Sequence, residues 1–278
     1  MKASPICPEK SYGMLQCAVS SSIFEKVAEQ VLCVGYAVVN ADYTANQLNT
    51  LSEEFDTIHE SYIKRHGAIY LKEIDEHNTI RAPLAQGSEL FLELAFNKNL
   101  LAVITKLIDG NFILNQQNGI INPPQQSYNQ AAWHRDLPYQ HFLSSSPLAI
   151  NALFCLDDFT TENGATFVLP ASHKMSAFPS PDYVKQNAMQ IVAKAGSFIV
   201  LDGMLFHAGG FNTTTSHRRA VNHLYNIPFF KQQIVIPRNM SEADLSAEQR
   251  QMLDYRSADG HESIESYLKS RAARLQSK

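Results

Sequence analysis

The chain's second half consists of short β-forming segments that follow one another without helices between them. From Phe112 onward the sequence contains FILNQQNGII, PLAINALFCLDDF, ATFVLPAS, MQIVAKAGSFIVLDGMLFHAG and RRAVNHLYNIPFF. Each is rich in β-forming residues and bounded by turn-forming residues, which is typical of strands and hairpins. A parallel α/β sheet would need helices between successive strands. The pattern therefore predicts a mainly β fold with flanking helices, whose core is a sandwich or a jelly roll.

Helical patterns precede this β-rich part. The apolar positions of residues 23–32 recur at helical spacing after a run of serines, and Gly35 ends the helix before the β-branched run 36–39. Residues 45–65 predict a longer, polar-faced helix, and residues 88–110 predict two more helices. The N-terminal region is thus expected to be helical with one strand.

No internal repeat, low-complexity tract or linker marks a domain boundary in the 278 residues. All-β folds of this length commonly form one domain. We therefore expect a single domain, in which about 1–110 is the helical N-terminal region, 111–235 the jelly-roll core and 236–278 a C-terminal helical tail.

Composition argues against several classes of partner. The net charge is −4, so no global basic field attracts nucleic acid, and no nucleic-acid partner is expected. The first thirty residues contain no continuous apolar segment of a secretory signal, and no stretch offers the ~18 apolar residues of a membrane span. We expect a cytoplasmic protein without a membrane partner.

The four cysteines are widely separated and form no CxxC pair, which argues against a zinc knuckle or a disulfide framework.

The segment AAWHRDLPYQHF, residues 131–142, places His134 two residues before Asp136. One His-x-Asp is within chance expectation for this composition, so it needs support from elsewhere. His207 ends an apolar strand where Gly209 allows the backbone to turn, and Arg218 follows eleven residues later. Two imidazoles and a carboxylate are the ligands of a facial-triad Fe(II) site, and a buried arginine would bind a carboxylate of a co-substrate.

These residues resemble the phytanoyl-CoA dioxygenase family of Fe(II)- and 2-oxoglutarate-dependent oxygenases. The matching pieces occur in family order: WHRD at 133–136, LDDFTTENGATFVLPASHK at 156–174, and HAGGFN from His207 with Arg218 beyond it. The resemblance covers about 112–230 well and the N-terminal helices loosely. It implies a double-stranded β-helix of the jelly-roll, cupin-like type.

The resemblance also implies roles for individual residues. His134, Asp136 and His207 would be the catalytic iron ligands, and Arg218 would bind the C5 carboxylate of 2-oxoglutarate, with Arg219 as the fallback. Family members that halogenate have a small residue in place of the carboxylate, so Asp136 favours hydroxylation. The implied reaction consumes O2 and 2-oxoglutarate, oxidises an unactivated C–H bond, and releases succinate and CO2.

Other polar residues are candidates for the pocket. By strand alternation, Gln117 and Asn151 are expected to contact 2-oxoglutarate or substrate. Tyr139, Gln140 and His141 follow the iron motif closely enough to line the substrate entrance, and their polarity favours a polar small-molecule substrate. Members of the family often have a serine or other small residue two positions after the distal histidine; here it is Gly209, which offers no hydroxyl to 2-oxoglutarate. The oligomeric state is left open by the sequence.

Two other classes compete with this interpretation. A cupin-like hydrolase or isomerase could use the same three ligands for another divalent metal, although it has no reason for a carboxylate clamp at Arg218. A binding protein that kept the jelly roll could have lost one ligand without penalty, whereas His134, Asp136 and His207 are all present.

Overall fold

A six-stranded antiparallel sheet forms the centre of the fold. The computed structural model describes residues 10–15, 18–137, 143–255 and 263–276. Strands in this part of the chain are β1 Tyr36–Asn40, β2 Thr79–Arg81, β3 Ile113–Asn122, β4 Ala149–Cys155, β5 Phe167–Val168, β6 Met189–Gln190, β7 Ser197–Asp202, β8 His207–Ala208 and β9 Arg218–Asn226. The large sheet has the order β1-β7-β4-β9-β3-β2. Every neighbouring pair in it is antiparallel.

A second sheet of three short strands, in the order β6-β5-β8, completes the β core. A buried apolar cluster that includes Ile120, Val168, Ile199 and Leu205 joins the two sheets. The mainly β fold with flanking helices and a double-stranded β-helix core is therefore confirmed.

Five helices pack against the other face of the large sheet: α1 Ile23–Val34, α2 Ala45–His66, α4 Glu89–Ala95, α5 Lys98–Leu107 and α7 Ala247–Met252. The other helices of the described residues are α3 Ala68–Glu73, α6 Pro181–Asn187 and α8 Ile264–Gln276. A reciprocal capping box between Ser22 and Glu25 begins α1, and Gly35 ends it with φ of 90°. None of the helices in the described ranges is long and apolar enough to cross a bilayer.

The larger apolar core lies between these helices and the sheet. It includes Phe55, Phe91 and Ile104 from the helices and Phe154 and Val221 from the strands. Each fully buried side chain of this size contributes roughly 2 kcal/mol through the area it removes from water. Both faces of the large sheet are consequently buried, one against helices and one against the small sheet.

The N-terminal region differs from the sequence prediction in one respect. It contains two strands rather than one, because β2 pairs with β3 at Thr79↔Ile120. β1 and β2 form the two edges of the large sheet. The N-terminal region thus supplies both edge strands of the sheet that carries the site described next.

Candidate metal and co-substrate site

His134 pairs with His207 at the β8 edge of the small sheet. They form an antiparallel bridge, in which the His134 amide donates to the His207 carbonyl at 3.0 Å and the His207 amide donates back at 3.1 Å. Their ring centroids are 4.3 Å apart. The bridge therefore brings together two imidazoles that are distant in sequence.

Backbone hydrogen bonds orient both rings. Nδ1 of His134 lies 2.8 Å from the Ala132 carbonyl oxygen, and Nδ1 of His207 lies 3.0 Å from the Leu205 carbonyl oxygen. Since a carbonyl only accepts, Nδ1 is the donor in each ring, and in the neutral imidazole this tautomer leaves the lone pair on Nε2. Burial lowers the pKa of His207, which favours the neutral imidazole that a metal requires.

Asp136 supplies the carboxylate beside these imidazoles. Its amide donates to the Gly203 carbonyl at 3.1 Å, and its Oδ1 lies 3.8 Å from Nε2 of His207. Its Oδ2 accepts a hydrogen bond of 2.9 Å from Nδ2 of Asn151. One ligand atom each from His134, Asp136 and His207 falls within 4.8 Å of the others. Two nitrogens and one oxygen at this separation fit the facial triad of a non-haem Fe(II) site.

Arg218 lies in the same cavity as His134 and His207. Its side chain is fully buried, and its Cζ lies 3.9 Å above the Phe159 ring centroid. Nη2 donates to the Tyr128 hydroxyl at 3.3 Å, whereas Nε and Nη1 have no hydrogen-bond partner among the residues that the structure describes. A buried cation with unused donors fits an anionic ligand that enters the cavity.

Arg219 points away from this cavity. Its guanidinium binds Asp157 at 2.8 Å and Asp56 at 2.8 Å on the other side of the sheet. Alternation along β9 therefore places Arg218 rather than Arg219 beside the triad.

Asn151 and Gln117, both expected in the pocket, lie on different faces of the sheet. Asn151 lines the cavity; its amide nitrogen donates to Asp136, and its Oδ1 has no partner within the described part of the chain. Gln117 instead bonds the Leu84 amide, the Phe91 carbonyl and His223 on the helix-covered face. Its placement does not support contact with 2-oxoglutarate. Tyr139, Gln140 and His141 lie outside the described residues.

The cavity also contains residues that the sequence analysis did not single out, namely Tyr128, Gln130, Thr166 and Asn222. Asn222 could have been found, because it follows Arg218 by four residues in one strand and so shares its face. Tyr128 and Gln130 lie in the irregular connection after β3, where no periodicity predicts side-chain direction.

Comparison with known proteins assigns the family. Residues 32–220 match the family model described as phytanoyl-CoA dioxygenase (PhyH). The chain is 31% identical over 229 residues to the uncharacterised protein Mb1539 of Mycobacterium bovis, with 81% of this chain and 83% of that protein covered.

Two solved structures are similar in fold. EctD from S. alaskensis, determined with 2-oxoglutarate and 5-hydroxyectoine, has a TM-score of 0.63 and 18% identity, over 80% of this chain and 81% of EctD. The epimerase SnoN, determined with Fe3+, α-ketoglutarate and nogalamycin RO, has a TM-score of 0.57 and 17% identity, over 81% of this chain and 91% of SnoN. The chain belongs to the phytanoyl-CoA dioxygenase family and is a 2-oxoglutarate-dependent Fe(II) dioxygenase.

Proposed function

We propose that the protein hydroxylates an unactivated C–H bond of a small polar metabolite, with His134, Asp136 and His207 holding Fe(II) and Arg218 binding 2-oxoglutarate. The observation that carries the proposal is the convergence of three ligand atoms within 4.8 Å beside a buried arginine with two unpartnered nitrogens. When bound, iron and 2-oxoglutarate supply O2 activation coupled to decarboxylation, which yields succinate and CO2.

The chain's own residues orient these groups. The two Nδ1 hydrogen bonds fix the direction of each Nε2, and Asn151 holds the second oxygen of Asp136 so that Oδ1 faces the imidazoles. Such hydrogen bonds to ligands restrict their rotation and tune their affinity for metal. Arg218 offers a charged, planar donor set at a fixed position, which suits the far carboxylate of 2-oxoglutarate.

The inner face of β9 supports a polar substrate. Asn222 lines the cavity, and its Oδ1 has no hydrogen-bond partner among the described residues. Buried amide groups usually find hydrogen-bond partners, so a ligand with hydroxyl or amide donors would satisfy this oxygen better than a hydrocarbon chain would. Asp136 occupies the position that a halide needs in a halogenating relative, and this supports hydroxylation.

The first test measures binding of Fe(II) and 2-oxoglutarate without O2, using visible absorbance as the readout. We expect a weak charge-transfer band in the wild type that is lost in Asp136→Ala and weakened in Arg218→Ala. The matched control is Arg219→Ala, which removes an arginine from the neighbouring position outside the cavity and should keep the band.

A screen of small metabolites then follows succinate release and the gain of one oxygen atom by mass spectrometry. Succinate release that depends on a polar metabolite, with oxygen incorporated into it, supports the proposal. No charge-transfer band, together with tight binding of another divalent metal, would instead favour the cupin-like hydrolase or isomerase. Turnover of a metabolite without oxygen gain would reject hydroxylation while keeping the iron site.

A further inference from the structure

Arg135 lies between two of the candidate iron ligands in the sequence, and its side chain points away from them. Successive side chains of an extended segment alternate in direction, so Arg135 leaves the side to which His134 and Asp136 point. The Arg135 residue is 6% exposed, and its Cζ lies 3.8 Å from the ring centroid of Phe206. Phe206 directly precedes His207. Arg135 therefore contacts, from behind, the segment that carries the third ligand.

The guanidinium of Arg135 also binds a third segment of the chain. Nη2 donates to the Ser172 carbonyl oxygen at 3.0 Å and to the Met175 carbonyl oxygen. Nη1 donates to the Ser176 carbonyl oxygen at 3.4 Å. These carbonyls belong to the 3-10 helix Ser172–Lys174 and the two residues after it. One buried cation thus joins three segments that are distant in sequence.

This third segment is itself fixed to the rest of the fold. The Ser172 hydroxyl accepts a hydrogen bond of 3.0 Å from the Phe206 amide. The Ala171 amide donates to the Val34 carbonyl at 2.7 Å, at the end of α1. Arg135 is therefore attached to a part of the chain that both α1 and the segment before His207 hold in place.

Packing alone does not explain a cation at this position. A methionine of similar volume would cover Phe206 without the cost of removing a charge from water. Arginine adds a planar set of donors, which fixes several carbonyl oxygens at defined angles, and a flat surface that stacks on an aromatic ring. The side chain is consequently suited to fixing the direction of the segment that carries it.

We propose that Arg135 is a positioning residue for the metal centre, which holds segment 134–136 at the angle that aims His134 and Asp136 toward His207. This inference rests on the proposed function, since it takes these three side chains as the iron ligands. The backbone bridge between His134 and His207 aligns the two segments, and Arg135 fixes their direction from the opposite side. A triad that is ordered in advance binds metal without an additional entropic cost.

The experiment combines anaerobic Fe(II) titration with urea unfolding of the metal-free protein. Arg135→Met keeps apolar bulk over Phe206 and loses every donor. We expect its Kd for Fe(II) to rise about tenfold, which is the lower end of the effect of residues that orient metal ligands. Arg135→Lys keeps the charge without the planar donor set, so its Kd should lie between those of the wild type and Arg135→Met.

A spectroscopic readout distinguishes positioning from general support of the fold. With Fe(II) and 2-oxoglutarate at saturation, the charge-transfer band of Arg135→Met should have a shifted maximum, because the ligands meet the metal at altered angles. The matched control is Arg219→Met, which removes an arginine that binds two aspartates on the helix-covered face. Its Fe(II) Kd and its band should match the wild type.

The outcomes separate this inference from the function on which it rests. A wild type that binds no Fe(II) contradicts the proposed function itself. Wild-type Fe(II) affinity and an unshifted band in Arg135→Met overturn only the role of Arg135, even if the free energy of unfolding falls. If Arg135→Met does not fold, Arg135→Lys decides: a raised Kd supports the proposal, and a wild-type Kd overturns it.

Discussion

The two faces of β9 differ in whether their buried polar side chains have hydrogen-bond partners. On the helix-covered face, Arg219 binds two aspartates, His223 bonds the Ala152 carbonyl and Gln117, and Tyr225 donates to the Ala95 carbonyl. On the inner face, Arg218, Asn222 and Asn226 each carry polar atoms that find no partner in the described ranges.

This difference distinguishes two kinds of buried polar side chain in one strand: those that stabilise the fold and those that are available to a ligand. Leaving a buried polar group unsatisfied costs roughly 1–3 kcal/mol, so evenly distributed unsatisfied groups would only weaken the fold. Within β9 they are restricted to the face that also carries the metal triad, and two of them, Arg218 and Asn222, line the cavity, where a ligand can reach them. The helix-covered face needs no ligand, because its partners come from the chain.

The largest expected difference between the faces is at the two consecutive arginines. Arg218→Met should weaken 2-oxoglutarate binding by about 3 kcal/mol, roughly a hundredfold, while the unliganded protein keeps or gains stability, because an unpaired buried charge is removed. Arg219→Met should leave binding intact and cost about 1 kcal/mol of stability, a modest value because Asp56 is half exposed to solvent.

Anaerobic 2-oxoglutarate titration and urea unfolding of both variants measure these effects. If Arg219→Met loses binding and Arg218→Met loses stability, the assignment of the two faces is reversed.

His223, on the helix-covered face, should make the stability of the protein depend on pH. Burial lowers its pKa from 6.5 to about 4. Between these pH values the His223 imidazole is protonated in the unfolded chain and neutral in the folded protein. Its contribution to stability is therefore present above pH 6.5 and is lost as the pH falls toward 4. Between pH 7 and pH 5 we expect a loss of about 2 kcal/mol from this residue.

Urea unfolding of the wild type and of His223→Gln, each at both pH values, isolates the effect. The variant should show a smaller pH dependence of its unfolding free energy. An identical dependence in both proteins would mean that His223 is not held neutral by the helix-covered face.

The smallest expected effect concerns Asn151, where the inner face supports the triad. Removing its hydrogen bond to Asp136 in Asn151→Ala should weaken Fe(II) binding about tenfold, because the carboxylate is free to rotate. Anaerobic Fe(II) titration measures the change. A suitable control is Asn222→Ala. It removes another inner-face amide, which makes no hydrogen bond to Asp136 among the described residues. The Fe(II) affinity of this variant should stay at the wild-type level.

The sequence predicted the fold well where local signals were strong. Ser22 and Gly35 mark the two ends of α1, as the serine run and the glycine in the sequence predict. The β-rich segments correspond to observed strands. The triad was predicted because its residue types and order carry chemistry that few other patterns share. Arg218 was preferred to Arg219, and the structure places Arg218 in the cavity.

The direction of Gln117 could not be predicted, for a physical reason. Almost every residue of β3 is buried, with Ile120 and Ile121 on opposite faces, so the strand lacks the polar and apolar alternation that identifies an inner face. Tyr128 was missed because the connection after β3 has no repeating geometry. Its contact with Arg218 depends on how distant segments pack together, which a sequence pattern does not encode.

The bridge between His134 and His207 has a consequence for chain topology. A metal ion bound by both imidazoles would act as a removable cross-link between two segments that are joined through β4 and β7. Closing a loop of this length restricts the unfolded chain much as a covalent tie does, and occupancy by metal would shift the folding equilibrium by mass action. Iron binding would thus add to the stability of the fold as well as supply the chemistry of the site.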